Sequence, residues 1–409
     1  MNINQLGFDC ICKLNSPFNI NKLEFDCICK LNSPVEKIIN MKKTILIGAL
    51  TLALSACSEQ PKENSNVIQV DIENAQPMNL ADFVESIQLV PLETTDESLI
   101  KRIERMVIQD GKVYIQNDWL DVLVFDTNGK FLLRTAKRLG QGPDDYFRMT
   151  SMDVTDDGLI SIYEGFRIRE YDMDLNLVNS YFPQLPDSIH NAQEMRKHIK
   201  LDKDTYLFRD HEYTSYYSVS KDSVFGIKHE HYHPKSCAIV NNLRLLEHEG
   251  EIYFSPSYIC DTLYRVNTAE HRMEPVIAFH SEEDINLDEM PDGMTFQYYV
   301  EYMMNTEKMF MLDKVHLPHA VFCFMANVKD KKGGVVYRDK HGKVKVYYHK
   351  DTQTFPAPNT VYENKLVFAA MPEHIEKIDM TLVDAESLER IKDLKEDDNQ
   401  VLVIYTLKD

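Results

Sequence analysis

From residue 67 onward, Val, Ile, Tyr and Phe alternate with polar residues in short runs bounded by Asp, Asn and Gly. Alternation with period two sends successive side chains to opposite faces of an extended strand, so the pattern predicts β-structure. The runs also repeat. Asp110-Gly111 precedes the run Lys112 to Ile115, Asp157-Gly158 precedes Leu159 to Ile162, Lys203-Asp204 precedes Thr205 to Phe208, and Glu249-Gly250 precedes Glu251 to Phe254. Successive turns lie 47, 46 and 46 residues apart. Glu363-Asn364, before Lys365 to Phe368, is a sixth-unit counterpart. A second family of runs ends in an acid or amide: Val122 to Asp126, Ile168 to Asp172 and Leu263 to Asn267, each followed by a polar turn and another strand. About four strands per unit, at a period in the forties, predict the blades of an all-β, six-bladed β-propeller.

The rhythm breaks near blade five. Phe296, Tyr299, Val300, Met303, Met304 and Glu307 fall at helical spacing, which predicts a helix inserted over 294–309, its methionine stripe packed on the propeller. A second helical pattern runs from Thr381 to Leu394, with Leu382, Ala385, Leu388, Arg390 and Ile391 in amphipathic register. The final strand, Val401 to Tyr405, is expected to pair with Ser86 to Leu92 in the last blade. Such pairing closes the ring and hides an edge that would otherwise template association.

The sequence before residue 67 is an address. Lys42-Lys43, the apolar run Thr44 to Leu54, small Ser55 and Ala56, and then Cys57 form a signal peptide too short to span a bilayer. Leu54-Ser55-Ala56-Cys57 matches the lipobox of bacterial lipoproteins, which implies cleavage before Cys57 and lipidation of its thiol. Phe8 to Pro17 recurs unchanged as Phe25 to Pro34 ahead of this complete leader. Residues 1–40 therefore read as a spurious upstream extension, with Met41 the expected initiator. The expected organisation is leader 41–56, lipidated cysteine and polar tether 57–66, and propeller 67–409.

Leu89-Val-Pro-Leu-Glu93, Gly140-Gln-Gly-Pro-Asp-Asp-Tyr146 and Val401-Leu-Val-Ile-Tyr405 together resemble the six-bladed β-propeller lipoproteins of Gram-negative gut anaerobes, many of undefined function. The loop in that family usually reads Gly-x-Gly-Pro-x-Glu-Tyr, shortly after Phe-Asp-x-x-Gly-Lys-Phe. Phe125-Asp126, Gly129-Lys130-Phe131 and Gly140 to Tyr146 match in order, with Asp145 in place of the Glu. The resemblance covers about residues 67–409 and brings no catalytic residue with it. It implies an outer-membrane lipoprotein, on the periplasmic or cell-surface face.

The formal charge of −20 repels phosphate backbones and argues against nucleic acid as a partner. Cys237, Cys260 and Cys323 are the only cysteines of the propeller region. That set reads as buried thiols, with a Cys237–Cys260 bridge as the alternative. Three constellations are candidates for chemistry. Asn117, Asp118 and Trp119 follow the first blade strand, where an aromatic face suits a glycan, peptide or protein partner. Asp144, Asp145 and Tyr146 close the glycine-rich loop, read first as a structural turn and second as a ligand or calcium site. His229, His231 and His233 alternate on one strand face, as a zinc site would need. No nucleophile elbow, phosphate loop or zincin motif is present. The expected function is a membrane-anchored binding or protein-interaction propeller. The alternative is an extracytoplasmic hydrolase, lactonase-like or glycan-processing, with its site at the channel mouth.

Overall fold

A computed structural model describes residues 66–184, 197–209, 213–229, 244–248, 250–256, 260–282, 301–302, 304–327, 329–330, 332–350 and 355–408. Among them, strands assemble into six sheets of four or five. Three N-terminal strands, β1 (Val67–Gln69), β2 (Gln76–Pro77) and β3 (Val84–Pro91), each join a sheet built by later sequence. Blade one is β4 (Ile103–Gln109), β5 (Lys112–Asn117), β6 (Asp121–Asp126) and β7 (Phe131–Arg134). Blade two is β8 (Ser151–Val154), β9 (Ile160–Tyr163), β10 (Ile168–Tyr171) and β11 (Leu177–Tyr181). Blade three is β12 (Lys197–Lys200), β13 (Thr205–Arg209), β14 (Tyr213–Ser218) and β15 (Ser223–His229). Blade four is β16 (Arg244–His248), β17 (Glu251–Ser255), β18 (Thr262–Asn267) and β19 (Arg272–His280), with β1 parallel outside it. Blade five is β20 (Phe310–Leu317), β21 (Ala320–Asn327), β22 (Lys332–Asp339) and β23 (Val344–Tyr348), with β2 parallel outside it. Blade six is β24 (Thr360–Tyr362), β25 (Lys365–Ala370), β26 (Val401–Leu407) and β3.

The repeated turns are the hairpins between the first two strands of a blade. Asp110 (φ 49°) and Gly111 (φ 71°) both occupy the left-handed region, as a two-residue hairpin of this twist requires. Glu363 and Asn364 repeat the geometry in blade six. Blade three solves the same bend differently: the Asp202 carboxylate accepts the N–H groups of Asp204 (2.7 Å) and Thr205 (2.8 Å). The acid ending the third strand also recurs for a reason. Asp126 accepts from the Asn128 and Lys130 N–H groups, Asp172 from Asp174 and Asn176, and Asp339 from His341 and Lys343, all within 3.0 Å. Each is a side-chain-closed turn that reverses the chain into the outer strand.

The core is six interfaces between neighbouring blades. In blade one, Val113, Ile115, Leu123 and Phe125 pack toward Val90, Val367 and Leu402 of blade six. Their alternate neighbours Tyr114, Val122 and Val124 pack toward Met152, Ile160 and Ile162 of blade two. Period-two alternation thus feeds two hydrophobic layers at once, and each fully buried side chain of this size stabilises by roughly 1.5–3 kcal/mol. The thiols of Cys260 and Cys323 are buried; Cys237 lies outside the described residues.

Ring closure follows the expected pairing. β26 and β3 run antiparallel, with Val401 opposite Pro91, Val403 opposite Leu89 and Tyr405 opposite Ile87. Asn399 seals the junction: its side chain accepts from the Ile100 N–H (2.8 Å) and donates to the Glu93 and Ser98 carbonyls (2.8 and 2.9 Å).

The single helix expected over Thr381 to Leu394 is broken into two pieces. Met380–Leu382 is one 3-10 turn, Val383 is extended and bridges Ile87, and α1 spans only Ala385–Arg390. Asp379 and Asp384 cause the break, since each caps a new turn by accepting the N–H of Thr381 and Ser387. Leu388 consequently faces solvent at 42% exposure, while Ile391 and Leu394 pack on the core. Of the helix expected at 294–309, residues 294–300 and 303 lie outside the described residues; helical backbone is present at 301–302 and 304–305. Residues 1–65, with Cys57, the leader and most of the tether, also lie outside. Among the described residues no helix is long and apolar enough to cross a membrane.

Candidate functional site

The first strands of the blades, β4, β8, β12, β16, β20 and β24, surround the propeller axis. Arg105 on β4 donates to Asp153 on β8 (2.7 Å) and to the His198 carbonyl on β12 (3.0 Å). Asp153 also accepts the Lys200 N–H (2.9 Å). Burial raises the Asp153 pKa, against the pull of Arg105. The network continues outward: Lys200 Nζ reaches Glu170 (2.7 Å), which also accepts from Asn179 (2.7 Å) and the Tyr206 hydroxyl. Deeper still, His198 is fully buried between the hydroxyls of Ser151 (3.1 Å) and Ser161 (2.9 Å). Burial, and then the charges of Arg105 and Lys197, hold His198 well below the usual imidazole range.

Next to this network lies a cavity of about 310 Å3, walled by β4, β16, β24 and the end of β8. Its polar lining includes Arg105, Asp153, Asp156, Glu247, His248 and Glu363. Glu247 is exposed to the channel, yet the surrounding walls, and then Asp153 and Asp156, raise its pKa. Glu363 is 3.7 Å from Lys365. Among the described residues, no group of three or more His, Cys, Asp or Glu is placed to hold a metal ion.

A second surface occupies the opposite end of the strands. Asn117 at the end of β5 pairs with Ile103 at the start of β4, so the β5–β6 loop stands at the end where the inner strands begin. Trp119 in that loop is 41% exposed. Lys197 Nζ, at the start of β12, lies 6.0 Å from its ring centroid. Burial and then Arg105 push the Lys197 pKa down to about 8. In blade two the same end carries Phe147, Phe166 and Phe182. Phe147 and Phe182 are exposed (51% and 46%), and the Phe147 and Phe166 rings are 5.7 Å apart. Arg148 lies over Phe147 (5.5 Å), and Arg167 over Phe166 (5.6 Å) and Phe182 (4.1 Å). Contacts of this kind contribute about 0.5–1 kcal/mol at exposed sites. Trp119, Phe147, Phe166 and Phe182 therefore each lie beside a cation.

The structure separates the residues that sequence grouped. Asn117 is fully buried, its amide donating to Asp121 (3.0 Å) and its carbonyl accepting the Lys101 N–H (2.8 Å). Asp118 pairs with Arg102 (3.0 Å), which leaves Trp119 as the outward group. Tyr146 is fully buried, its hydroxyl bonded to Thr135 (2.9 Å) and to the Leu120 carbonyl (3.1 Å). Asp145 turns inward and accepts the Gly142 N–H (3.0 Å). Asp144 is exposed, and its carbonyl accepts from the Tyr171 hydroxyl (2.8 Å). His231 and His233 lie outside the described residues, as does the side chain of His229. Sequence reading missed Phe147, Phe166, Phe182 and the lining of the cavity. The repeat itself carried a signal for Phe166, which occupies in blade two the loop that Trp119 occupies in blade one.

A family profile described as a domain of unknown function, DUF4934, matches residues 65–406. The chain belongs to the DUF4934 family. Among solved structures, a Bacteroides fragilis protein described as exported is similar to this DUF4934 propeller with a TM-score of 0.65 at 15% identity. The match covers 84% of this chain and 100% of that one. A Bacteroides caccae protein of unknown function matches with a TM-score of 0.37 at 10% identity, covering 64% of this chain and 94% of that one. At 15% identity the likeness to the Bacteroides fragilis protein speaks of fold alone. No curated protein matches the chain in sequence.

Proposed function

We propose that this DUF4934 protein is a membrane-anchored, extracytoplasmic binding propeller that captures an acidic glycan on the Trp119 face. The observation that supports the reading is the pairing of exposed rings with cations at one end of blades one and two. Exposed aromatic surface grouped in this way marks a binding site rather than ordinary surface. Ring faces stack on the apolar faces of sugars, and Arg148, Arg167 and Lys197 supply charge for carboxylates. In a chain of net charge −20 this local concentration of cations complements an anion. The anchor rests on the lipobox ending at Cys57, and a mature protein starting at a diacylated Cys57 is the mass-spectrometric result expected of it.

Trp119 is the single tryptophan of the chain, so its emission reports on this face alone. Titrating the full-length protein in detergent with polygalacturonate is expected to shift the emission, and neutral dextran to leave it unchanged. Phe147→Ala and Arg167→Ala are expected to weaken retention on immobilised polygalacturonate. A shift with an acidic peptide but none with polygalacturonate would assign the face to a protein partner. No response to either overturns the reading.

A further inference from the structure

The cavity on the propeller axis has a different chemistry from the Trp119 face. Asp156 on the β8–β9 turn and Glu247 on β16 bring carboxylates to it from blades two and four. Neither has a salt-bridge partner among the described residues, and Arg105, the cation of the lining, is committed to Asp153. The lining is therefore net negative. His248 supplies an independent observation. It lines the same cavity, is 9% exposed, and its Nε2 has no hydrogen-bond partner among the described residues. A buried polar atom left unpaired costs about 1–3 kcal/mol, and a ligand with an N–H to offer would remove that cost.

We infer that the axial cavity binds an aliphatic polyamine, its ammonium charges met by Glu247 and Asp156 and one N–H donating to Nε2 of His248. Three features select this class. The negative lining excludes anions. The carboxylates stand on separate blades, and the described residues offer no converging set of the kind that holds a divalent cation. Charge spread along a chain matches carboxylates spread along a wall. The volume of about 310 Å3 lies at the lower end of the range of about 300–1,000 Å3 that small ligands occupy.

Calorimetric titration of the full-length protein with spermidine tests the assignment. Saturable binding is expected, weakened at least tenfold by Glu247→Gln and by Asp156→Asn. Neither residue makes a salt bridge among the described residues, so both variants should melt as the parent does. His248→Phe should weaken binding as well, and Glu247→Gln keeps the test decisive should His248→Phe fail to fold. Glu373→Gln, on the outer surface, should bind like the parent, which separates the cavity from diffuse attraction to an acidic chain. Trp119 emission should not respond to spermidine, so failure here leaves the glycan reading untouched. Equal binding by parent and Glu247→Gln overturns the inference, and so does calcium displacing spermidine at equal concentration.

Discussion

Arg105 of blade one and Asp153 of blade two meet at 2.7 Å, with both side chains largely withdrawn from solvent. The pair crosses the interface nearest the axis, and Arg105 also holds the His198 carbonyl of blade three. Asp153→Ala would strand a buried guanidinium and remove the acceptor of the Lys200 N–H. The expected cost is about 3–5 kcal/mol, the usual consequence of breaking a buried pair from one side. Chemical denaturation measures it, and a loss below about 1 kcal/mol would place the pair with weak surface bridges instead.

Gly142 and Asp145 should be coupled. A Cβ on Gly142 would lie 2.6 Å from Asp145 Oδ2, so a side chain there displaces the carboxylate that receives the Gly142 N–H. Gly142→Ala should destabilise, and in an Asp145→Ala background most of that penalty should vanish. The double-mutant cycle is expected to give a coupling of about 0.5–3 kcal/mol. Additive losses would show that the glycine is needed for some other reason.

Deleting Val401 to Asp409 removes the strand that joins β25 to β3. Both neighbours would then present bare edges, and Asn399 would lose the frame from which it bridges Ile100 and Ser98. Aggregation or a broadened unfolding transition is expected. A soluble truncation with the parent's melting curve would mean that closure contributes little.

His198 makes stability pH-dependent. Its folded pKa is depressed, so below the unfolded value of about 6.5 the unfolded chain binds a proton that the folded chain refuses. This contribution is intact above pH 6.5 and is lost as pH falls, by at most about 1.4 kcal/mol per pH unit. His198→Gln removes the titrating group, so the stability difference between parent and variant should change in this direction between pH 7 and pH 5. A pH-independent difference would show that His198 does not titrate differently on folding.

Glu247 gives spermidine binding a dependence on acid of the same sign. Its pKa is raised by burial and by Asp153 and Asp156, with Arg105 opposing. His248, Tyr362 and Glu363 complete the charged and titratable lining. Affinity should therefore rise with pH above the ordinary carboxylate range, and the rise should be reduced in Glu247→Gln.

Much of the fold was legible because period-two alternation is a local property with a global consequence. Once Val113 and Tyr114 face opposite sides, each blade must have a neighbour on both faces. The interval between turns then sets the blade size, and the strand left over at each end of the propeller region implies closure. Within Thr381 to Leu394 a short C-terminal helix was legible and is present at Ala385–Arg390, but its extent was not legible, for the same local reason. Amphipathic spacing cannot register that Asp379 and Asp384 would each stop and restart the turn, or that Ile87 would hold Val383 extended.

Sequence by itself determined the strand-turn repeat and the strands left over at its two ends, Ser86 to Leu92 and Val401 to Tyr405. Both are contiguous patterns, carried by neighbours in the chain. Gly142 has no positive φ; its small size matters because the Asp145 side chain folds back onto it. Only the tertiary structure decided that Asn117 and Tyr146 turn inward while Trp119 turns out. It alone gathered Phe147, Phe166 and Phe182 on one face, and brought Asp156, Glu247 and His248 to one cavity. Those groups come from different turns and blades, so no spacing in the chain encodes their meeting, and only closure of the ring creates it.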